Sequence, residues 1–163
     1  MGLIYIFLIA WFALSIFFLM KKSLSNAVNI LTFLFFQIVH INIFTILTLK
    51  LNFLIPNTRP LAFIAILLFR DISLPVFLLI YVNLLFSFKK IGAKLVVTAI
   101  IFFIIHGAHY IFLELGYFHY YHWSYFREAL FDFSLMLICL VIAYVFKKLF
   151  SREKNMNGHL ANL

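Results

Sequence analysis

Two pairs of histidines carry the chemistry that this sequence offers most directly. His106 and His109 stand one helical turn apart, with Tyr110 and Glu114 continuing along a nearby face. His119 and His122 repeat the same spacing a few residues on. Neutral imidazole is a good ligand for zinc or copper, and a carboxylate can complete such a site. His106, His109, Glu114, His119 and His122 are therefore a candidate ligand set, and a transition metal such as zinc is the cofactor it implies. A proton relay along the same residues is a second reading. Hydrogen-bonded structural histidines are the commoner outcome at this spacing, and Gly107-Ala108 between them reads as a point of close helix packing.

A second group is scattered along the chain: Gln37, His40, Arg70, Asp71, Arg127, Glu128 and Asp132. Each lies in or beside a long apolar run, where ionisable groups are costly and usually face a bundle interior or a wet cavity. Asp132 sits about one turn inside such a run and needs a partner, so an Arg70–Asp132 bridge is expected. Asn26, Asn29, Gln37 and His40 fall on one face of a helix. Small polar residues in such a stripe commonly hydrogen-bond between helices, and a stripe lining a permeation path is the alternative. The stretch 115–127 is rich in aromatic residues: Tyr117, Phe118, Tyr120, Tyr121, Trp123, Tyr125 and Phe126. An interfacial aromatic belt explains them most simply, and a cage for a cationic or sugar ligand is the sharper alternative. Ser124 is placed to cap the helix that follows, with Glu128 in its first turn.

The elements that must position these residues follow from composition. Hydrophobic residues make up 66% of the 163, and charged residues only 11%. Soluble domains hold about 25% charged residues, and a chain this short cannot hide so much apolar surface from water. Lipid is the solvent that remains. Five apolar runs are long enough to cross a bilayer, at about 3–20, 28–49, 72–88, 95–113 and 129–146. The expected fold is all-α: a polytopic integral membrane bundle of about five transmembrane helices, forming one domain over 1–150. A polar cytoplasmic tail without structure is expected over 151–163. Residues 61–69 are too short to cross alone, and read as interfacial, re-entrant or an extension of the third span with Pro75 as a kink. The first run lacks a basic n-region and a small-x-small cleavage site, so it reads as a retained span.

Lysine and arginine placement sets the orientation. With the N-terminus outside and the C-terminus cytoplasmic, the inner side receives Lys21, Lys22, Lys89, Lys90, Lys94, Lys147, Lys148, Arg152 and Lys154. The outer side receives only Lys50, Arg59, Arg70 and Arg127. This bias is the positive-inside pattern of a multi-pass protein in a cell membrane of cytoplasmic type. It also explains the net charge of +8 without nucleic acid, which is not an expected partner. Five of the six histidines and four of the five acids then fall in the outer half, suggesting a polar vestibule open to the outside. Cys139 is the only cysteine, which excludes an intrachain disulfide.

Three functional classes fit these features. An accessory or interaction protein of the membrane leads, because no catalytic or transport signature is present. Its partners are the lipid bilayer and a second copy or another membrane protein. A small transporter or transporter subunit would use the His/acid cluster as an ion, proton or metal site. A membrane-embedded metal-dependent enzyme is the third class, and an enzymatic role is the less favoured.

Overall fold

The computed structural model describes residues 2–160, with side chains described for residues 2–152. It is almost wholly helical. Five helices are long and apolar enough to cross a membrane, which suggests a multi-pass membrane protein. They are α1 (Gly2–Leu19), α2 (Asn26–Lys50), α3 (Pro60–Ser87), α4 (Ile91–Glu114) and α5 (Tyr125–Leu160). Exposed apolar side chains surround the bundle, among them Trp11, Phe18, Ile38, Phe103, Phe133 and Val141. A patch of that extent is not tolerated on a soluble monomer.

The middle helix is the core. In α3, 56% of the apolar window is buried, against 22–28% in the other four, so α3 is the post around which they pack. Leu74, Leu78, Val82 and Asn83 are sealed from solvent along it. The sequence suggested a third span beginning near residue 72. The helix instead begins at Pro60, whose missing N–H costs nothing in a first turn, and runs unbroken through 61–69. Arg70-Asp71 does not interrupt it because the two charges neutralise each other. Arg70 Nε and Nη2 donate to the two oxygens of Asp71 at 2.6 and 2.8 Å, and the guanidinium lies over the Phe44 ring.

The backbone at that point widens into a π-helical turn, Phe69–Ser73, just before Pro75. Proline has no N–H to return to the preceding turn. The Asp71 carbonyl left there accepts a hydrogen bond from Gln37 Nε2 on α2. Neighbouring helices commonly satisfy backbone groups in this way at membrane depth. A second π-helical turn, Ile46–Lys50, closes α2.

At one end of the bundle the loops are lysine-rich, and Asn83 fastens them. Its Oδ1 accepts from the backbone N–H of Ser23 and of Leu24, each at 3.1 Å, and its Nδ2 donates to Asn29 Oδ1 at 2.7 Å. Ser25 caps α2 by accepting from the Val28 N–H. Lys147 of α5 lies over Phe86 at this same end. α5 continues as a helix to Leu160, past the start of the tail expected from Ser151; no proline in 151–160 removes a helical N–H. Residues 161–163 of that expected tail, and the side chain of Lys154, lie outside the described residues.

The opposite end holds a short sheet that sequence patterning did not suggest. β1 (Leu54–Pro56), in the loop between α2 and α3, pairs antiparallel with β2 (Phe118–Tyr120), between α4 and α5. Leu54 faces Tyr120, Ile55 faces His119 and Pro56 faces Phe118. The pairing extends on both sides: the Tyr121 N–H donates to the Phe53 carbonyl and the Asn57 N–H to the Tyr117 carbonyl. Gly116, with φ of +66°, makes the left-handed turn out of α4, and Asn57 Nδ2 donates to its carbonyl at 2.8 Å. Strand alternation then decides which side chains face inward. Leu54, Phe118 and Tyr120 turn toward the bundle, while Ile55 and His119 turn out.

Candidate functional site

Beneath that sheet, α4 and α5 bring ionisable groups together in the interior. Glu128 and Asp132 stand at i and i+4 on one face of α5, and His106 and His109 at i and i+3 on α4. Asp132 is fully buried and Glu128 is 3% exposed. Isolated carboxylates at such depth would be very costly, so cationic or donor partners must surround them.

His109 Nδ1 occupies the centre of the arrangement. It lies 2.8 Å from Asp132 Oδ1 and 3.3 Å from Glu128 Oε1. One candidate ligand atom from each of the three residues lies within 4.8 Å of the other two. The remaining oxygen of each carboxylate has its own donor. His106 Nδ1 is 3.0 Å from Asp132 Oδ2, and Trp123 Nε1 donates to Glu128 Oε2. Stacking of His106 on Phe102, with rings 4° from parallel, fixes that imidazole. Phe69 meets His109 edge-on and fixes the other.

A cavity of about 30 Å³ adjoins this cluster, lined by His109, Glu128, His40, Arg70, Tyr120 and apolar neighbours including Phe44, Leu54 and Phe118. About 10–15 Å³ suffices for one water, so the space takes a small ion with a water but no organic molecule. His40 is 3% exposed and stacks on Phe36, and its Nδ1 has no hydrogen-bond partner among the described residues. Burial and the Glu128 and Asp132 carboxylates push the Tyr120 phenol well above its ordinary range. It therefore keeps its proton where it lines the cavity with Glu128.

The candidate residues read from sequence are divided by the structure. Of the expected metal ligands, His109 is in the cluster and His106 supports it through Asp132, whereas Glu114, His119 and His122 are exposed and apart from it. The alternation of β2 turns His119 outward, and Arg127 Nη1 donates to the His122 carbonyl at 2.6 Å. Of the second group, Glu128 and Asp132 join His109, while His40 and Arg70 line the cavity. Gln37 and Asp71 meet through the Asp71 carbonyl, and Arg127 is exposed at the surface.

Three expectations are corrected. The Arg70–Asp132 bridge does not form, because Asp71 takes the guanidinium and the two histidines take Asp132. The open vestibule is replaced by a small cavity under Phe118 and Tyr120. Gly107 meets no neighbour within 4 Å, so only Ala108 of that pair packs closely. The close approach of a glycine falls instead at Gly2, where a Cβ would collide with the Tyr117 hydroxyl.

Trp123 and Tyr120 were legible only as members of an aromatic belt. Their inward orientation depends on a strand pairing of three residues a side, too short to leave a periodic signal. Ser124 does cap α5, accepting from the Arg127 N–H. Compared with known proteins, the chain matches no family model, no curated protein and no solved structure.

Proposed function

We propose that this protein is a small membrane transporter, or a subunit of one, that takes up a cation from the outer face into the His109–Glu128–Asp132 cluster. One observation carries the reading: two buried carboxylates converge on a single imidazole nitrogen. Ionisable groups at membrane depth are costly and characteristically mark ion pathways or proton relays. A scaffold held together by helix packing has no need of them.

The orientation argued from lysine and arginine places the sheet end outside, so an entering cation meets β1 and β2 before the cluster. Beyond the cavity, smaller polar groups continue inward. On α2 these are Gln37, Thr32 and Asn29, and on α3 they are Ser73 and Asn83, with Thr32, Ser73 and Asn83 fully buried. They run toward the lysine-rich end, interrupted by buried Phe36. The accessory-protein reading accounts for Asn29, Gln37 and Asn83, whose amides bond within the bundle, but leaves the carboxylates unexplained. The cavity of about 30 Å³ beside the cluster weighs against an enzymatic role there, because it admits no lipid or other organic substrate.

Uptake requires the strand pair to part, which gives the test. Ile55 and His119 face each other across the sheet on its outward side. In proteoliposomes, Ile55→Cys/His119→Cys joined by a short bis-methanethiosulfonate linker should lose cation uptake at least tenfold and regain it on reduction. Uptake is followed for protons by an entrapped pH dye and for divalent metals by an entrapped chelating dye. Liposomes that take up neither, linked or unlinked, would return the accessory reading to first place.

A further inference from the structure

We infer that the cation is a divalent transition metal of the zinc type, bound by His109 Nδ1, Glu128 Oε1 and Asp132 Oδ1, with a fourth position open to the adjoining cavity. The inference rests on the cation-uptake reading and names its ligand. Tetrahedral zinc with bonds of about 2.0–2.2 Å holds its ligand atoms about 3.3 Å apart. Of the separations from His109 Nδ1, that to Glu128 Oε1 matches this spacing at 3.3 Å and that to Asp132 Oδ1 falls short of it at 2.8 Å.

The contacts do not have the character of ordinary hydrogen bonds. His109 Nδ1 and Asp132 Oδ1 lie 2.8 Å apart, yet neither has a satisfied hydrogen bond with any of the described residues. Donor atoms gathered this closely without a satisfied hydrogen bond are what co-ligands of a third body present. The surrounding bonds fit the same description. Each carboxylate gives one oxygen to the triangle and has the other held, Asp132 by His106 and Glu128 by Trp123. Such outer partners orient metal ligands and tune their basicity. His40, buried with an unpartnered Nδ1 on the same cavity, is independent evidence that something polar is received there.

Charge and ligand type select the ion. Two carboxylates balance one dication, leaving a neutral centre in a low-dielectric interior; a protonated His109 would leave one negative charge over. Arg70 cannot supply the balance because Asp71 already occupies it. Calcium takes six to eight oxygen ligands and magnesium a near-octahedral shell, neither of which one imidazole and two single carboxylate oxygens provide. Nitrogen and oxygen donors in a three-plus-one arrangement suit zinc, with cobalt as its spectroscopic substitute. No thiolate is near to favour copper(I): Cys139 lies two turns farther along α5.

The test uses the full chain in detergent, stripped with a chelator and dialysed against zinc or cobalt. One metal per chain is expected, with a visible tetrahedral cobalt spectrum and a melting temperature that rises with the logarithm of zinc concentration. His109→Gln and Asp132→Asn should lose the spectrum. Trp123→Phe should keep it and bind about 10–100-fold more weakly. His119→Ala/His122→Ala should bind as the unaltered protein does. Well-folded unaltered protein that binds neither zinc nor cobalt overturns the inference, even if protons are still taken up. Binding that survives Asp132→Asn but vanishes in His119→Ala/His122→Ala overturns it as well. One bound metal with a tetrahedral spectrum but no uptake in liposomes sustains the site and removes transport.

Discussion

Asp132 concentrates the problem this protein solves. A carboxylate with no exposure is flanked by two histidines of the neighbouring helix, one beside each oxygen. Its need for a partner was legible in the sequence, since it lies a turn inside an apolar run. The identity of the partner was not. Sequence offers Arg70 as the opposite charge, but adjacency on α3 gives that arginine to Asp71 first, and a bidentate pair leaves it little to offer elsewhere. The choice is testable by double-mutant cycles in denaturant or SDS unfolding. Asp132→Asn and His106→Gln should each destabilise the protein, and their combination should fall short of additivity by about 0.5–3 kcal/mol. Arg70→Gln with Asp71→Asn should couple likewise. Arg70→Gln with Asp132→Asn should add to within about 0.5 kcal/mol, and a larger coupling would restore the bridge that the geometry denies.

At the scale of the element, what sequence conveys depends on how long the pattern runs. Long apolar spans announce themselves by near-continuous hydrophobicity, and all five helices lie where such runs occur. The ambiguous stretch 61–69 was ambiguous because Arg70-Asp71 looks like a boundary; its charges cancel locally and α3 passes through. β1 and β2 are the converse case. Three residues on each strand carry no period, and the pairing joins loops more than sixty residues apart, so only the folded chain reveals that Tyr120 faces in and His119 out. The π-helical turn of α3 has a cause that can be checked. If Gln37 is held there by the carbonyl that Pro75 leaves free, Gln37→Leu should cost about 1–3 kcal/mol of unfolding free energy for an unmet buried acceptor. In a Pro75→Ala background, where the backbone regains its own N–H, the same substitution should cost markedly less. Equal costs in both backgrounds would mean that Gln37 serves some other contact.

For the whole molecule, the arrangement is polarised along its long axis. One end is basic, with Asn83 clasping the first loop and lysines 21, 22, 89, 90, 147 and 148 around it. The other end carries the carboxylate–histidine cluster under paired strands. That division was legible from charge placement alone, because positive residues flank alternate ends of the apolar runs. What sequence left open was whether the acids and histidines merely share an end or meet; packing around α3 brings only some of them together. The functional reading depends on which end faces out, and the chain supplies its own control. Cys139 is 1% exposed, so native labelling by a membrane-impermeant maleimide should be negligible. Cysteines placed at Thr58 and His119, both exposed beside the strands, should label from outside intact cells. Cysteines at Gly92, where a side chain meets open space, and at Lys148 should label only after the membrane is breached. The reverse pattern would turn the cluster toward the cytoplasm, and a cation bound there would be one the cell exports or stores rather than one it takes in.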